Sequence, residues 1–486
     1  MHRIPRFTTW IFIILLMVTL GTTFQVSSHS KDANNFSSPT GGTEFHLPVV
    51  NRYSPWTAPF AIESTLSLAA STVHNQQMQN LKSTWVRLNE RISWKALQPQ
   101  EGDPIQWNLL EGFENELRAI RAAGAKPIVI VDDYPTWATI VPNSCSALKP
   151  DKYDDFANFA IALVQKYKTP EFNVKDWELG NEVDVDPVLI PVNSVYGCWG
   201  DISDLAYYGG DHYGEMIKVV GNAIKVANPD ARVWIGGLLL ASPNTTNPAL
   251  GKPENFLRGV LSAGAAPYFD VVPYHAHTLY YGIVTDPESQ LAGPWLDWGG
   301  GMVGKANYLR ALMQEFGVTK TLSVNEIGVG CRDDFSFCVP TPGPDFLDFQ
   351  ADMIVRLAVR AMGANLESFV WYTLNGPGWR SMGLLDGSTP RPSFVSYQTL
   401  IAQTSGATYS HPINYGDGIE AYAFSNSTEI INVVWTELDA SIPFTVPQDK
   451  FLGAVDRDGN AITPIVVGNN YQFTATFSPI YAVISH

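Results

Sequence analysis

The chain has 486 residues, and its formal net charge is −16. A surface this acidic repels nucleic acid and anionic membranes, which argues against both as partners. Hydrophobic residues make up 45% of the chain and charged residues 16%, a balance that predicts a large packed core and excludes global disorder.

The N-terminal segment has the features of a targeting signal. Arg3 and Arg6 give it a basic start, and the apolar run from Trp10 to Leu20 is too short to cross a bilayer comfortably. We interpret residues 1–30 as a signal peptide for export. Because no clear small-x-small cleavage site follows, an uncleaved membrane anchor is the alternative. Residues 31–54 are mostly polar and are predicted to be a linker, and no other membrane segment is expected.

Short apolar runs alternate with helical patterns over residues 55–400. The predicted strands begin at Phe60, Trp85, Pro127, Val174, Arg232, Phe269, Thr321 and Ser368. Eight strands that alternate with helices predict an α/β fold, the (β/α)8 TIM barrel. A doubly wound open sheet is the alternative, but no Gly-x-Gly-x-x-Gly turn opens any of these units.

The character of the chain changes after Leu400. Strand patterns appear at residues 421–424, 430–435, 451–455 and 471–477, and Asp458-Gly459 is a hairpin turn signal. We predict that residues 401–486 form a small all-β domain, sandwich-like, that packs on the barrel.

Four cysteines are present, at positions 145, 198, 331 and 338. Export makes disulfides plausible. Cys331 and Cys338 share one loop, so we expect them to pair and to leave Cys145 with Cys198; free thiols are the alternative. The chain has no Cys-x-x-Cys pair or other metal-ligand spacing, and neither a metal site nor a cofactor is predicted.

The dipeptide Asn-Glu occurs four times, and position separates the copies. Glu116 lies inside a helical pattern and is expected on a solvated face. Glu90 follows the second strand and is the main rival for a place in the site. Glu182 and Glu326 follow strands four and seven. Active sites of α/β barrels are built where such strands end, so these two glutamates are the predicted catalytic pair.

Several ordered motifs resemble one group of enzymes. Residues 177–182, Trp-Glu-Leu-Gly-Asn-Glu, resemble the strand-four acid/base motif of clan A glycoside hydrolases. Residues 323–328, Ser-Val-Asn-Glu-Ile-Gly, are similar to the strand-seven nucleophile motif of that clan. The stretches Trp85–Leu88 and Tyr134–Ala138 resemble family 39 and its relatives. The resemblance covers about residues 55–400.

The resemblance implies a glycosidase that retains anomeric configuration by double displacement, and the N-terminal segment adds the expectation of export. Glu182 would begin protonated as the acid/base, and Glu326 would begin ionised as the nucleophile. The loops at residues 183–206, 274–300 and 329–347 are long. Long loops predict an enclosed pocket and therefore exo action, on a β-linked plant or microbial glycan. A non-catalytic glycan-binding barrel or surface protein is one alternative, and a transglycosidase with the same residues is another.

Further side chains are predicted to bind or orient the sugar. Arg87 would keep Glu326 ionised, and Asn181 would bind the sugar 2-hydroxyl. His275 would bind a hydroxyl or orient a carboxylate. Trp137 and Trp371 are candidate stacking platforms, with Trp137 the more plausible packing residue of the two.

One position departs from the clan pattern. The clan often has His-x-Tyr after strand six, and this chain has His275-Ala276-His277. His277 therefore stands where a tyrosine would often hydrogen-bond the nucleophile. Tyr280 or Tyr281 could take over that contact, or the contact could be absent.

Overall fold

The computed structural model describes residues 59–64, 68–142, 145–191, 194, 196–289, 291–339 and 341–486. The predicted signal or anchor at 1–30 and the linker at 31–54 lie outside these residues. Within the described ranges no helix is both long and apolar enough to cross a membrane.

Eight parallel strands close into a barrel, and the predicted (β/α)8 fold is confirmed. The barrel strands are β1 (Phe60–Ser64), β2 (Trp85–Ser93), β3 (Lys126–Asp132), β4 (Asp176–Asn181), β5 (Arg232–Gly237), β6 (Val271–His275), β8 (Thr321–Ile327) and β10 (Phe369–Trp371). Neighbours along the chain pair in this order, and β10 pairs back onto β1.

Helices surround the barrel. They are α1 (Thr72–Leu81), α2 (Trp94–Leu97), α3 (Glu111–Ala122), α4 (Tyr153–Tyr167), α5 (Gly210–Ala227), α6 (Phe256–Ser262), α7 (Met302–Glu315), α8 (Pro344–Gly363) and α9 (Pro392–Gln403). Helix α8 is buried along nearly its whole length, because it packs on the barrel and also against the C-terminal strands.

The barrel interior is built in layers. Apolar side chains from six strands pack together there: Ala61, Trp85, Ile128, Trp234, Val271 and Val370. Alternate residues of a strand point to the same face, so the next inward position on β1 is Glu63 and on β2 is Arg87. Both are fully buried, and they are register partners across the two strands. The polar site therefore begins one layer above an apolar floor.

Two loops above the barrel are joined by a small sheet. Strand β7 (Thr278–Tyr280) follows β6, and strand β9 (Val329–Cys331) follows β8; the two pair in parallel.

Disulfides link Cys331 to Cys338 and Cys145 to Cys198, which confirms the predicted pairing. The second disulfide ties the loop after β3 to the loop after β4. A short hairpin of β11 (Leu385–Asp386) and β12 (Thr389–Pro390) precedes α9.

The C-terminal region is all-β, as predicted, but has more strands than the sequence indicated. They are β13 (Thr408–Pro412), β14 (Ile419–Ser425), β15 (Glu429–Thr436), β16 (Ile442–Pro447), β17 (Phe451–Asp456), β18 (Ile465–Val467), β19 (Asn470–Ala475) and β20 (Ile480–Ser485). One antiparallel sheet has the order β13-β14-β15-β20-β17 and the other β16-β19-β18. Between them lies a separate apolar core that includes Phe444 and Phe473.

Buried arginines of α8 join the barrel to this region. Arg356 donates to the carbonyl oxygens of Thr436 and Phe477 at 3.0 and 2.8 Å, and to Asp286 Oδ2 at 2.6 Å. Asp286 belongs to the loop after β6 and also pairs with Arg360 at 2.6 Å. The C-terminal sheets and a loop that borders the site therefore share one ionic network.

Candidate active site

Glu182 and Glu326 lie at the same end of the barrel. Glu182 directly follows β4, with φ of 50°, and Glu326 lies near the end of β8. His275, the last residue of β6 and the register partner of Glu326, stands between them. Its Nδ1 is 3.1 Å from Glu182 Oε1, and its Nε2 is 3.4 Å from Glu326 Oε2. One imidazole therefore bridges the two predicted catalytic carboxyls.

Arg87 is the cation at the centre of the site. Its Nη1 donates to Glu326 Oε2 at 3.0 Å and to Glu63 Oε2 at 2.6 Å. Its Nε and Nη2 form a bidentate pair with Glu178 at 2.8 and 2.9 Å. Nη2 also donates to Asn181 Oδ1 at 2.6 Å. The predicted contact between Arg87 and Glu326 is present, but the guanidinium is shared with two further carboxylates.

The surroundings favour the ionised form of Glu326. Burial opposes ionisation, but His275, the hydrogen bond from His277 and Arg87 together outweigh it and hold the pKa of Glu326 well below its usual range. The same attraction acts in reverse on His275. Although burial disfavours its charge, Glu326 and Glu182 raise the pKa of His275 above the ordinary value.

Glu63 is a third carboxyl near the nucleophile position. Burial and then the charge of Glu326 raise the pKa of Glu63 to about 7, although Arg87 and Asn89 oppose this. Asn89 donates to Glu63 Oε1. Glu90, the main rival for a place in the site, does not join it, because its side chain is exposed on β2. The Asn-Glu pair at 89–90 thus contributes its asparagine to the site.

Glu178 anchors Arg87 from beneath. It is fully buried, and its Oε1 accepts from Asn325 Nδ2 at 2.8 Å and from the backbone N–H of Gly237 at 3.1 Å. Glu63, Glu178 and Asn325 were not predicted. The signal that could have found them is a charged or amide side chain at an alternate position of an otherwise apolar buried strand.

His277 itself makes the contact that the clan gives to a tyrosine. Its Nε2 is 3.2 Å from Glu326 Oε1. The proposed substitutes lie elsewhere, since Tyr280 packs on Phe349 with ring centroids 4.9 Å apart and Tyr281 packs towards Phe335. Glu326 is therefore flanked by two imidazoles, one at each carboxyl oxygen.

Trp371 does not occupy the predicted platform position. It is fully buried, and its indole N–H donates to the carbonyl oxygen of Met382 at 3.0 Å, so no ring face is open to a sugar. The next residue, Tyr372, turns to the site instead. Its ring lies 5.6 Å from that of His277, and burial followed by the charges of Glu326 and Glu63 raises the pKa of Tyr372. Trp379, 5.7 Å from His277, is a second aromatic ring at this edge.

Trp137 is a packing residue in the loop after β3. Its ring meets Trp94 at 5.1 Å, and its N–H donates to the carbonyl oxygen of Gln98 at 3.2 Å. Lys152 stands 5.6 Å from the ring centroid. These contacts support the loop rather than a sugar face.

Asn181 ends β4, and its Oδ1 accepts from Arg87 Nη2 at 2.6 Å. With its Oδ1 held by Arg87, Asn181 can present its NH2 group to a sugar hydroxyl.

Glu116, predicted on a solvated face, is 1% exposed and accepts from the backbone N–H groups of Leu68 and Ala69 at 2.7 and 3.0 Å. The prediction for Glu116 is wrong because its helix turns this side chain inward to cap the segment before α1.

Carboxylates of the neighbouring loops hold backbone. Asp184 accepts from the N–H groups of Leu239 and Leu240, each at 2.8 Å. Asp186 accepts from Val188 and Ile202 at 2.7 and 2.6 Å. These residues shape the rim, and each of the four oxygens already accepts a backbone hydrogen bond.

Comparison with known proteins shows which solved structures share the fold. No protein-family model matches the chain, and no curated protein matches it. A solved family 39 glycoside hydrolase from Bacteroides cellulosilyticus WH2 is similar over 88% of this chain and 81% of its own, at 19% identity and a TM-score of 0.65. A family 39 β-xylosidase from Caulobacter crescentus covers 90% of this chain with 98% of its own, at 14% identity and a TM-score of 0.57.

A family 30 endoxylanase from Clostridium papyrosolvens C71 is also similar, at 14% identity and a TM-score of 0.57, over 88% of this chain and 96% of its own. These structures confirm the resemblance to family 39 and its relatives at the level of the fold. At such low identity the chemistry of this chain has to be argued from its own residues.

Proposed function

We propose that this protein is a retaining glycoside hydrolase in which Glu326 is the nucleophile and Glu182 the acid/base. The observation that carries the proposal is the unequal surroundings of the pair. Glu326 contacts the Arg87 guanidinium and two imidazoles, whereas Glu182 contacts His275 alone among these three. A site that keeps one carboxylate charged and leaves the other free to exchange a proton suits double displacement.

In the first step Glu326 attacks the anomeric carbon while Glu182 protonates the leaving oxygen. His275 links the two changes. When Glu326 becomes an ester it loses its charge, and its attraction for the His275 proton weakens. His275 is then the partner that stabilises the ionised form of Glu182. Glu182 then takes a proton from water, which attacks the glycosyl-enzyme and releases the sugar with its configuration retained. Asn181, oriented by Arg87, binds the 2-hydroxyl.

The proposed substrate is a β-linked plant or microbial glycan attacked from its end. The β-xylosidase and the endoxylanase among the similar structures make β-xylosides the first candidates. Loops closed by two disulfides and by the β7–β9 sheet favour a fenced pocket and exo action. Disulfides also favour an oxidising compartment, consistent with export.

Alanine variants test the assignment on aryl β-glycosides, with β-xyloside, β-glucoside and β-galactoside in the panel. We expect Glu326→Ala and Glu182→Ala each to lower kcat on a substrate with a poor leaving group by at least about 100-fold. Azide should restore Glu182→Ala with a β-glycosyl azide product, and Glu326→Ala with an α-glycosyl azide. Glu90→Ala, taken from another Asn-Glu pair, is the matched control and should keep its activity. Unchanged turnover in both alanine variants would overturn the assignment of these two glutamates, whereas no turnover by the wild type on the whole panel would favour a non-catalytic barrel.

Product analysis separates the remaining alternatives. An exo enzyme should release only the terminal sugar from oligosaccharides of increasing length. Random shortening of long polymers would contradict exo action. Dominant transfer to added acceptors at low acceptor concentration would identify a transglycosidase.

A further inference from the structure

The second imidazole at Glu326 creates a set of ligands that a transition metal ion would take. His275, His277 and Glu326 each offer one donor atom, and these atoms lie within 4.8 Å of one another. The geometry points to a binding site for Cu²⁺ or Zn²⁺ formed by His275 Nε2, His277 Nε2 and the Glu326 carboxylate. A metal bound there would occupy the nucleophile; this inhibitory consequence rests on the proposed function, whereas the binding itself does not.

The spacing of each imidazole nitrogen from the Glu326 carboxylate suits a tetrahedral ion. His277 Nε2 lies 3.2 Å from Glu326 Oε1, and His275 Nε2 lies 3.4 Å from Glu326 Oε2. Zinc bonds of about 2.0–2.2 Å to nitrogen and oxygen place tetrahedral ligands roughly 3.3–3.5 Å apart. The ligand set could therefore close on an ion with small side-chain movements.

The environment of His275 points its free nitrogen at this position. His275 is 1% exposed, and its Nε2 has no hydrogen-bond partner among the residues that the structure describes. Its other nitrogen is 3.1 Å from Glu182 Oε1. A metal ion would bind the neutral imidazole, in which Nδ1–H donates to Glu182 and the Nε2 lone pair faces Glu326. A carboxylate behind a metal-binding imidazole is the usual support of such ligands.

Charge and chemistry decide which ion fits. The carboxyl groups of Glu63, Glu178 and Glu326 surround the Arg87 guanidinium, and Glu182 lies on the far side of His275, so carboxyl groups outnumber the guanidinium at this position. Two factors weaken binding. Arg87 lies 3.0 Å from one ligand oxygen, and the buried His277 Nδ1, unpartnered in the described ranges, would have to carry the proton. Ions with strong imidazole affinity, Cu²⁺ before Zn²⁺, should therefore bind, and Mg²⁺ and Ca²⁺ should not.

The histidine at position 277, where the clan often has a tyrosine, supplies the test. Metal-free protein without a histidine tag is titrated with Cu²⁺ and Zn²⁺ by calorimetry. One equivalent should bind, and Cu²⁺ electron paramagnetic resonance should report two nitrogen ligands. His277→Tyr should weaken binding by more than about 100-fold, beyond the loss typical for a supporting residue. His411→Ala, which removes an exposed imidazole, should bind like the wild type.

Kinetics add an independent readout. Zn²⁺ should inhibit competitively, and His277→Tyr should resist the same concentration. Equal affinity in the wild type and in folded His277→Tyr would overturn the inference, as would a Cu²⁺ spectrum with one nitrogen ligand or none. If the protein proves inactive, the calorimetric and spectroscopic results still decide the metal site, so the failure of the two proposals can be told apart.

Discussion

The substitution Glu178→Gln tests the central position of Arg87. All the hydrogen-bond partners of Glu178 named above are donors. Oε2 accepts from Arg87 Nε, and Oε1 accepts from Arg87 Nη2, Gly237 N and Asn325 Nδ2. A glutamine keeps the shape but replaces one acceptor oxygen by an NH2 group. In the less costly of its two orientations, the glutamine still places that NH2 group opposite Arg87 Nε–H, so that two donors face each other.

The expected loss follows from burial. Glu178 and Arg87 are both 0% exposed, so solvent does not screen the lost charge. Removal of one partner from a buried ion pair costs about 3–5 kcal/mol. We therefore expect the free energy of unfolding to fall by roughly 3–5 kcal/mol, and kcat/KM to fall as well because Arg87 is no longer fixed beneath Glu326 and Asn181.

Chemical denaturation followed by fluorescence measures the stability change, and aryl glycoside hydrolysis measures the activity. Glu215→Gln is the control, because Glu215 is 53% exposed and has a surface partner in Lys218; it should change stability by no more than about 0.5 kcal/mol. A loss below about 1 kcal/mol in Glu178→Gln would refute the idea that this ion pair anchors the site.

Three further predictions concern stability. Burial raises the pKa of Asp132 and of Glu288 to about 7, so the folded state holds protons that the unfolded chain releases; stability should fall as pH rises from about 5 to 8, and Asp132→Asn should flatten that slope in melting curves. The Cys145–Cys198 pair spans 53 residues and the Cys331–Cys338 pair 7, so serine pairs should cost about 4 and about 2 kcal/mol respectively, and equal losses would contradict the loop-entropy account. Arg356→Met should lower the free energy of unfolding by about 3–5 kcal/mol, and unfolding should stay a single transition. Separate melting of the C-terminal sheets would show that the barrel and these sheets are independent. The control is Arg258→Met, at a more exposed ion pair.

The sequence predicted the barrel well because its strands are short, buried apolar runs. Elements without that signal were missed. Helix α1 has only Met78 and Leu81 buried, so its pattern is too polar to read. Strand β16 alternates in burial but contains Pro443 and Pro447, which argue against a strand, and the three residues of β18 are all exposed.

The site was predicted in part, and the errors have physical causes. Glu182 and Glu326 were found from their place at strand ends. Trp371 was predicted as a platform, but its side chain is fully buried and the next residue, Tyr372, lies beside His277; neighbouring strand residues face opposite sides, so an error of one residue exchanges core for site. Glu63 and Glu178 carry a local signal, a charged side chain within an apolar strand, but that signal does not record their contact with Arg87 across the barrel.

Covalent trapping tests the central claim most directly. An activated 2-deoxy-2-fluoro β-glycoside of the sugar that the enzyme turns over should form a stable glycosyl-enzyme, because fluorine slows both steps while the good leaving group speeds only the first. Peptide mass spectrometry should then place one sugar per chain on Glu326. A label on Glu182 or Glu63, or undiminished activity with no label, would contradict the assignment of Glu326 as the nucleophile.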